Sequence, residues 1–395
     1  MTMLDDQRIS ELLRSAPVPE PRVDVDRAIR DGRRRRQRRR VGGAAAGTVL
    51  AGLGVVGAVQ FGGLAREPAP ATPALAASPT VSTPTVSTPT APASSLTCEA
   101  SWLPQPIRGP VAVTIGVDPT GRHIVGEIGT GNEDGRVVLW TDGRATLLPA
   151  SVRHGSAVNA DGYVIGTNGD GTGWVYRNGS LRTLTTPPGY DAVLLHAING
   201  RGDIAGTARG ANESHHAVLW SVDRPQEYRL IGRPGSTATG ITEDGTVVGT
   251  MGDLPYRWTP QGAGKALALP DGSPHASVES ARGNWAVGMV NGAKKGGAVE
   301  MLPVRWDLTT GAASLPPFPG MAEIAGNGDL LVGDGAPLVV SPDGTSRRLP
   351  GRPDVRATGA GTYTAEGISD DGLTVVGAVY ENEGYRPLVW RCTRA

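Results

Sequence analysis

The chain has 395 residues and a formal net charge of zero, with 57 glycines and 32 prolines against only 5% aromatic residues. So high a share of turn-forming residues leaves room for a folded domain but argues against a chain that is globular throughout. Residues 1–40 hold 12 arginines against 7 acidic residues, which leaves 26 basic and 31 acidic residues beyond them. The larger part is therefore mildly acidic and offers no basic face for nucleic acid.

The first 32 residues carry one helical pattern, from Leu4 to Arg14, with Leu4, Ile9, Leu12 and Leu13 apolar. It reads as a short surface helix or as a contact for a cytoplasmic partner. Residues 41–65 run for 25 positions without a charge, and Thr48 and Gln60 are their only polar side chains. A helix needs about 20 apolar residues to cross the hydrocarbon core, so this segment is expected to be a transmembrane helix. Seven arginines between Arg33 and Arg40 flank it on one side and Arg66 alone on the other. That bias places residues 1–40 in the cytoplasm and the rest of the chain outside. A cleaved export signal is the rival reading, but no clean small-x-small site closes the run.

Residues 66–97 are rich in Pro, Thr, Ser and Ala, with Val81-Ser-Thr-Pro-Thr repeated at once from Val86. Such a segment cannot bury enough apolar surface to fold and is expected to be a disordered stalk. At about 3.1 Å per residue it would reach roughly 100 Å.

From residue 111 onward one pattern recurs. Its clearest copies are Ile241-Thr-Glu-Asp-Gly-Thr-Val-Val-Gly249 and Ile368-Ser-Asp-Asp-Gly-Leu-Thr-Val-Val-Gly377. The closing glycines are Gly126, Gly166, Gly206, Gly249, Gly288, Gly333 and Gly377, spaced by 40, 40, 43, 39, 45 and 44 residues. A period of 40–45 residues with short strands predicts an all-β, seven-bladed β-propeller over residues 98–395. In each repeat, strand one leads into an Asp-Gly-like turn and strand two closes at the glycine. Strand three usually ends at an aromatic (Trp140, Tyr176, Trp220, Trp258, Trp306, Trp390), with Val340 in the sixth copy, and strand four often stops at Leu-Pro.

These motifs resemble the extracellular HAF-type repeats of bacterial proteins; the third copy reads His216-Ala-Val-Leu-Trp220. The acidic, then arginine-rich leader with its membrane segment is similar to leaders of actinobacterial envelope proteins. The resemblance implies an exported propeller-like domain and no particular activity.

Catalytic motifs are missing. No serine is followed two residues later by glycine, there is no His-Glu-x-x-His, and no cysteine pair has zinc spacing. His215 and His216 are neighbours, so on a strand they face opposite sides. Asp/Asn-Gly pairs such as Asp170-Gly171 read as turns rather than calcium loops. The expectation is therefore a chain that is no enzyme and needs no metal or cofactor. It would be a non-catalytic binding or sensing module for an envelope protein or glycan. An envelope hydrolase or lyase using acidic residues on the propeller face is the alternative. Candidate binding loops are Met289–Leu302, Gly351–Gly367 and Tyr380–Tyr385, which bring Tyr363, Tyr380 and Tyr385 forward.

The seventh repeat stops two residues after Trp390, without a fourth strand, whereas an orphan segment, Ala100-Ser-Trp-Leu-Pro104, precedes the first repeat. If that segment supplies the missing strand, Cys98 and Cys392 meet and form a disulfide, as an extracytoplasmic location allows.

The arginine bias makes a direct prediction about topology. Protease added to intact cells removes the repeat domain and spares an N-terminal tag; protection of the repeats would reverse the orientation.

Overall fold

A computed structural model describes residues 96–394, apart from 108–110, 130–134, 271–272, 296–297, 317, 319–321, 334–336, 356–361 and 382–383. The expected cytoplasmic segment and transmembrane helix, and all but the last two residues of the expected stalk, lie outside the described residues. Among the described residues no helix is long and apolar enough to cross a membrane.

The described chain is all-β. β1 (Leu96–Trp102) begins two residues inside the expected stalk. Six groups of four strands follow. The first is β2 (Val111–Val117), β3 (His123–Gly129), β4 (Arg136–Thr141) and β5 (Arg144–Leu147). The second is β6 (Gly155–Val158), β7 (Val164–Thr167), β8 (Gly173–Arg177) and β9 (Ser180–Thr183). The third is β10 (Ala192–Ile198), β11 (Asp203–Arg209), β12 (His215–Ser221) and β13 (Tyr228–Ile231). The fourth is β14 (Ser236–Ile241), β15 (Val247–Met251), β16 (Leu254–Trp258) and β17 (Gly264–Ala266). The fifth is β18 (Ala276–Arg282), β19 (Trp285–Lys295), β20 (Ala298–Asp307) and β21 (Ala313–Ser314). The sixth is β22 (Ala322–Ile324), β23 (Leu330–Val332), β24 (Leu338–Val340) and β25 (Ser346–Arg348). A last group of three is β26 (Tyr363–Ile368), β27 (Thr374–Glu381) and β28 (Gly384–Arg394).

Within each group, consecutive strands pair antiparallel. The second to sixth groups are separate four-stranded sheets, while the first and last merge through the single parallel bridge Val111↔Tyr385. The segment Met289–Leu302, expected as a loop, is instead the far part of the β19–β20 hairpin, which pairs as far as Lys295↔Ala298.

β1 pairs antiparallel with β28, with Cys98 opposite Cys392 and Ala100 opposite Trp390. The two cysteines form a disulfide across a sequence separation of 294 residues, with Cα atoms 4.0 Å apart. At the other end of β1, the guanidiniums of Arg352 and Arg386 lie over the Trp102 ring, 4.8 and 4.0 Å from its centroid. Its indole N–H donates to Asp354 at 3.1 Å. The Arg352 guanidinium and that indole hold the Asp354 carboxyl down at about 2.

The repeated glycines have a steric cause. In six of the strand-one–strand-two pairs the register shifts by one residue, as it does between Thr114 and Gly116 or between Ala365 and Gly367. The glycine sits opposite the last regular residue before this bulge. There a Cβ would overlap the preceding carbonyl: that of Thr237 at Gly249, of Thr364 at Gly377, and likewise at Gly126, Gly166, Gly206 and Gly288. The strands do not end at these glycines as expected; β3, β11, β15, β19 and β27 each run two or more residues beyond. Gly333 is the exception. Among the described residues its pair β22–β23 has no shift, from Ala322↔Val332 to Ile324↔Leu330, and a Cβ there would meet its nearest described neighbour at 3.6 Å.

Each hydrophobic cluster joins two groups rather than filling one. Ile165, Val175 and Leu184 of the second group pack with Val193, Leu195 and Trp220 of the third. Val376 and Val389 of the last group pack with Ala112, Val117 and Trp140 of the first. The strand-three tryptophans, expected to pack between repeats, are buried and reach outward by hydrogen bonds. Trp140 Nε1 donates to Pro104 O (2.7 Å), Trp220 to Thr185 O (2.8 Å), Trp306 to Ala268 O (2.7 Å) and Trp390 to Pro350 O (2.8 Å). Each acceptor lies just after the last strand before the tryptophan's own group. Pro104, just after β1, thus stands where Pro350 stands after β25.

Two expectations follow. Gly249→Ala costs about 1–3 kcal/mol because the Cβ displaces a carbonyl, whereas Gly333→Ala stays within about 0.5 kcal/mol, both measured by urea denaturation. Thiol titration of the denatured, unreduced chain finds no free cysteine, and reduction lowers stability by up to about 5 kcal/mol, the chain-entropy figure for so long a loop.

Candidate functional site: a cavity at the first strands

The first strands of the groups come together. β2 lies against β6, β6 against β10, β10 against β14, β14 against β18, β18 against β22, β22 against β26, and β26 against β2. Between them is a cavity of about 990 Å³ to which all seven contribute. That is the size range of a small-molecule site.

The bulges fill its wall. The extra residue of each shifted pair is Ile115, Ser156, His196, Thr239, Glu279 or Glu366, and every one of them lines the cavity. The sixth group contributes Glu323. A bulge leaves its extra residue out of the ladder and re-aims its side chain, so one backbone device repeated from sheet to sheet delivers one side chain after another to the same space. Several of these side chains are anchored. Thr239 Oγ1 donates to Val278 O at 2.8 Å, and Ser277 and Ser280 donate to Glu279 and Glu323 at 3.0 and 3.2 Å.

Turns between strands one and two border one end of the cavity. Polar residues at their starts are buried and shape them: the Asp118 carboxylate accepts the backbone N–H of Thr120 and His123, at 2.9 and 2.6 Å. Asn159 and Asn199 do the same for their own turns and also donate to the next group, Asn159 to Asn199 O (2.9 Å) and Asn199 to Thr242 O (3.1 Å). In the fifth group this position is Arg282, which reaches across to Asp370 (3.2 Å) and to the Val117 carbonyl. It thereby ties the fifth group to the last and the first at that end.

The opposite end is bordered by Val111, Arg209 and Tyr385. Tyr385 stands opposite Tyr380 in the β27–β28 hairpin with ring centroids 5.0 Å apart, and Tyr380 is exposed. Burial, reinforced by Tyr380 and Glu366, pushes the Tyr385 phenol up, so it keeps its proton at neutral pH. Of the three tyrosines singled out from the sequence, Tyr385 lines the cavity and Tyr380 stands beside it. Tyr363 is placed elsewhere: it lies in β26, buried 6.1 Å from the Trp390 ring, and its hydroxyl accepts the Arg352 N–H at 2.9 Å. His216 is buried with Tyr190 OH 3.0 Å from its Nδ1, and burial lowers its pKa. Asp170 shapes a turn by accepting the Thr172 N–H at 2.9 Å. Among the described residues no three His, Cys, Asp or Glu side chains are grouped to hold a metal ion.

The bulge residues escaped the sequence reading, although they leave a signal. Each stands three residues before the residue that opens the turn, as Ile115 does before Asp118, Thr239 before Thr242 and Glu366 before Ser369. Within a repeated frame, this fixed place changes chemistry from copy to copy.

No protein-family model matches the chain, and no curated protein does. Solved structures do. A puromycin hydrolase variant complexed with PGG is 16% identical with a TM-score of 0.47, over 68% of this chain. This chain spans only half the length of that hydrolase. A protein provisionally named TolB, from Agrobacterium tumefaciens, is 14% identical with a TM-score of 0.40, over 64% of this chain and 95% of its own. The expectation that the chain is no enzyme is corrected by the first of these, since a hydrolase stands among its structural neighbours. The physical reason is that motif searches see residues close in sequence, whereas a site built from successive repeats draws each residue from about 40 positions away.

Proposed function

We propose that the chain is a membrane-anchored, extracytoplasmic binding protein. Its described part is read as a closed seven-bladed β-propeller, completed by β1, with the ligand site in the cavity on its axis. The observation that carries the binding reading is the convergence of the bulge residues on one cavity. A repeat selected only for packing has no need to place a polar or charged side chain at one fixed position of five of its six shifted copies, as Ser156, His196, Thr239, Glu279 and Glu366 do. Ring closure is supported by the contact of β26 with β2, by the core shared between the last group and the first, and by the place of Pro104 under Trp140. The membrane anchor and the outward orientation rest on residues 33–66. The ligand is an envelope component, protein or glycan, of which a small group or chain end enters the cavity. A loop-borne site at Tyr380 would serve as its outer rim.

Filling the cavity tests this. A library of soluble fragments (sugars, amines, carboxylates and short peptides) is screened against the full chain by ligand-observed NMR. A subset is expected to bind the parent chain and to lose binding in Thr239→Trp, with Ile115→Trp as the second blocking variant should the first fail to fold. If no fragment separates the parent from a folded blocked variant, the cavity is not a binding site.

A further inference from the structure

We infer that the ligand enters the cavity only at its Tyr385 end and that this end is turned away from the chain's own membrane, so that the partner is presented from outside. The inference rests on the binding and anchoring reading above. The described chain begins at Leu96, which pairs with Arg394 at the foot of β28. The strand-one–strand-two turn of the last group lies at the same end: Arg391 pairs with Thr374, the first residue of β27, and Cys392 N donates to Leu373 O at 2.8 Å. From there β1 runs towards the opposite end, its last residue Trp102 standing opposite Leu388. A tether joined to Leu96 therefore leaves the domain at the turn end. Tyr380 and Tyr385, paired at the tip of the β27–β28 hairpin, lie at the end away from it.

The turn end is laced. Turns of neighbouring groups are tied to one another: Asn159 donates to Asn199 O, Gly200 N to the Glu243 carboxylate, Asn327 N to Asp370 O and Asp370 N to Pro119 O, each at 2.9 Å. Arg282 adds a longer brace, reaching past the sixth group to the Asp370 carboxylate and the Val117 carbonyl. A ligand entering here would have to part these bonds. The Arg282–Asp370 pair costs the most, because it is charge-assisted and each half would be left beside the cavity without its partner. The Tyr385 end is bordered instead by side chains that turn aside readily. Arg209 is exposed, and so is Tyr380 beside Tyr385, and exposed side chains change rotamer far faster than a braced set of turns can open. A cavity laced at one end takes a projecting group rather than a threaded chain. A partner on the tethered side meets the laced turns first, whereas one on the far side meets the mouth.

A thiol placed inside the cavity reports the path of entry. Cys98 and Cys392 are joined to each other, so Thr239→Cys gives the full chain a reactive thiol on the cavity wall. Ile115→Cys serves if that chain does not fold, as judged by thermal melting. The probe is a membrane-impermeant polyethylene-glycol maleimide, and its labelling rate is followed in detergent and in lipid vesicles. Arg209→Trp narrows the Tyr385 end and is expected to slow labelling about fivefold or more, with Val111→Trp as the second variant. Pro119→Trp, which adds bulk at the turn end and keeps the carbonyl that Asp370 uses, is expected to leave the rate within about twofold. Outward-facing chains in vesicles are expected to label within about twofold of the detergent rate. No labelling, an equal or larger effect at the turn end, or slowing of about fivefold in vesicles overturns the inference. If the inference is overturned while soluble fragments still lose binding in the Thr239→Trp chain, the binding reading stands without it. If the thiol is labelled from the Tyr385 end and no fragment binds, the binding reading falls and the path alone remains. A chain that does not float with the vesicles overturns the anchoring reading, and the membrane half of the inference falls with it.

Discussion

The pairing of β1 with β28 is the contact on which the remainder of the structure depends. Each group of strands buries its faces only against the next group, so every group but the terminal ones has a neighbour supplied by chain order. The last and first groups become neighbours only if residues almost 300 positions apart are brought together. Closing so long a loop costs conformational entropy, although that cost grows slowly with length. Seven residue pairs of antiparallel ladder offset it, from Leu96↔Arg394 to Trp102↔Leu388. The disulfide removes part of the cost from the unfolded chain, and the contacts of Arg352 and Arg386 with the Trp102 ring hold the opposite end of β1. Without this pairing the faces of Ala112, Val376 and Val389 would lie open to water, as would the edge of β28.

A second constraint links fold to function. The carbonyl that presses on six of the repeated glycines does so because the opposing strand carries an extra residue there. The glycine that makes the repeat visible in sequence and the side chain that reaches the cavity are thus two consequences of one bulge. The frame stays constant because steric overlap forbids any Cβ at Gly249 or Gly377. The bulged residue is free to change because it faces open volume. An invariant scaffold position and a variable recognition position, set opposite each other across a strand pair, let one repeat be copied without copying its chemistry.

Much of the strand pattern was legible because its causes are local. Alternating Val and Ile, turn glycines and strand-ending prolines act within a few residues, and the period followed from them. The pairing of Cys98 with Cys392 was legible for a different reason: a missing strand at one end and a spare strand at the other leave one arrangement that wastes neither. Other features were not legible. Met289–Leu302 looks like a loop from its glycines and lysines, yet its backbone pairs across a hairpin longer than the others. Tyr363 looks like a loop aromatic, yet it is buried against Trp390, because its burial is set by a neighbouring strand rather than by its own flanks. The absence of catalytic motifs spoke only to residues close in sequence and could not decide about catalysis.

By itself the sequence determined the all-β class, the spacing of the recurring glycines, the charge asymmetry across residues 41–65 and the partners in the disulfide. These follow from short-range periodicity, hydrophobic length and counting, which need no coordinates. The tertiary structure alone decided why the glycines recur and which residues share the cavity. It alone placed Arg282 across three groups and Trp140 over Pro104. Each of these rests on contacts between separate strands, up to 165 positions apart from Arg282 to Val117, and its energy depends on how sheets pack, a quantity no local pattern encodes.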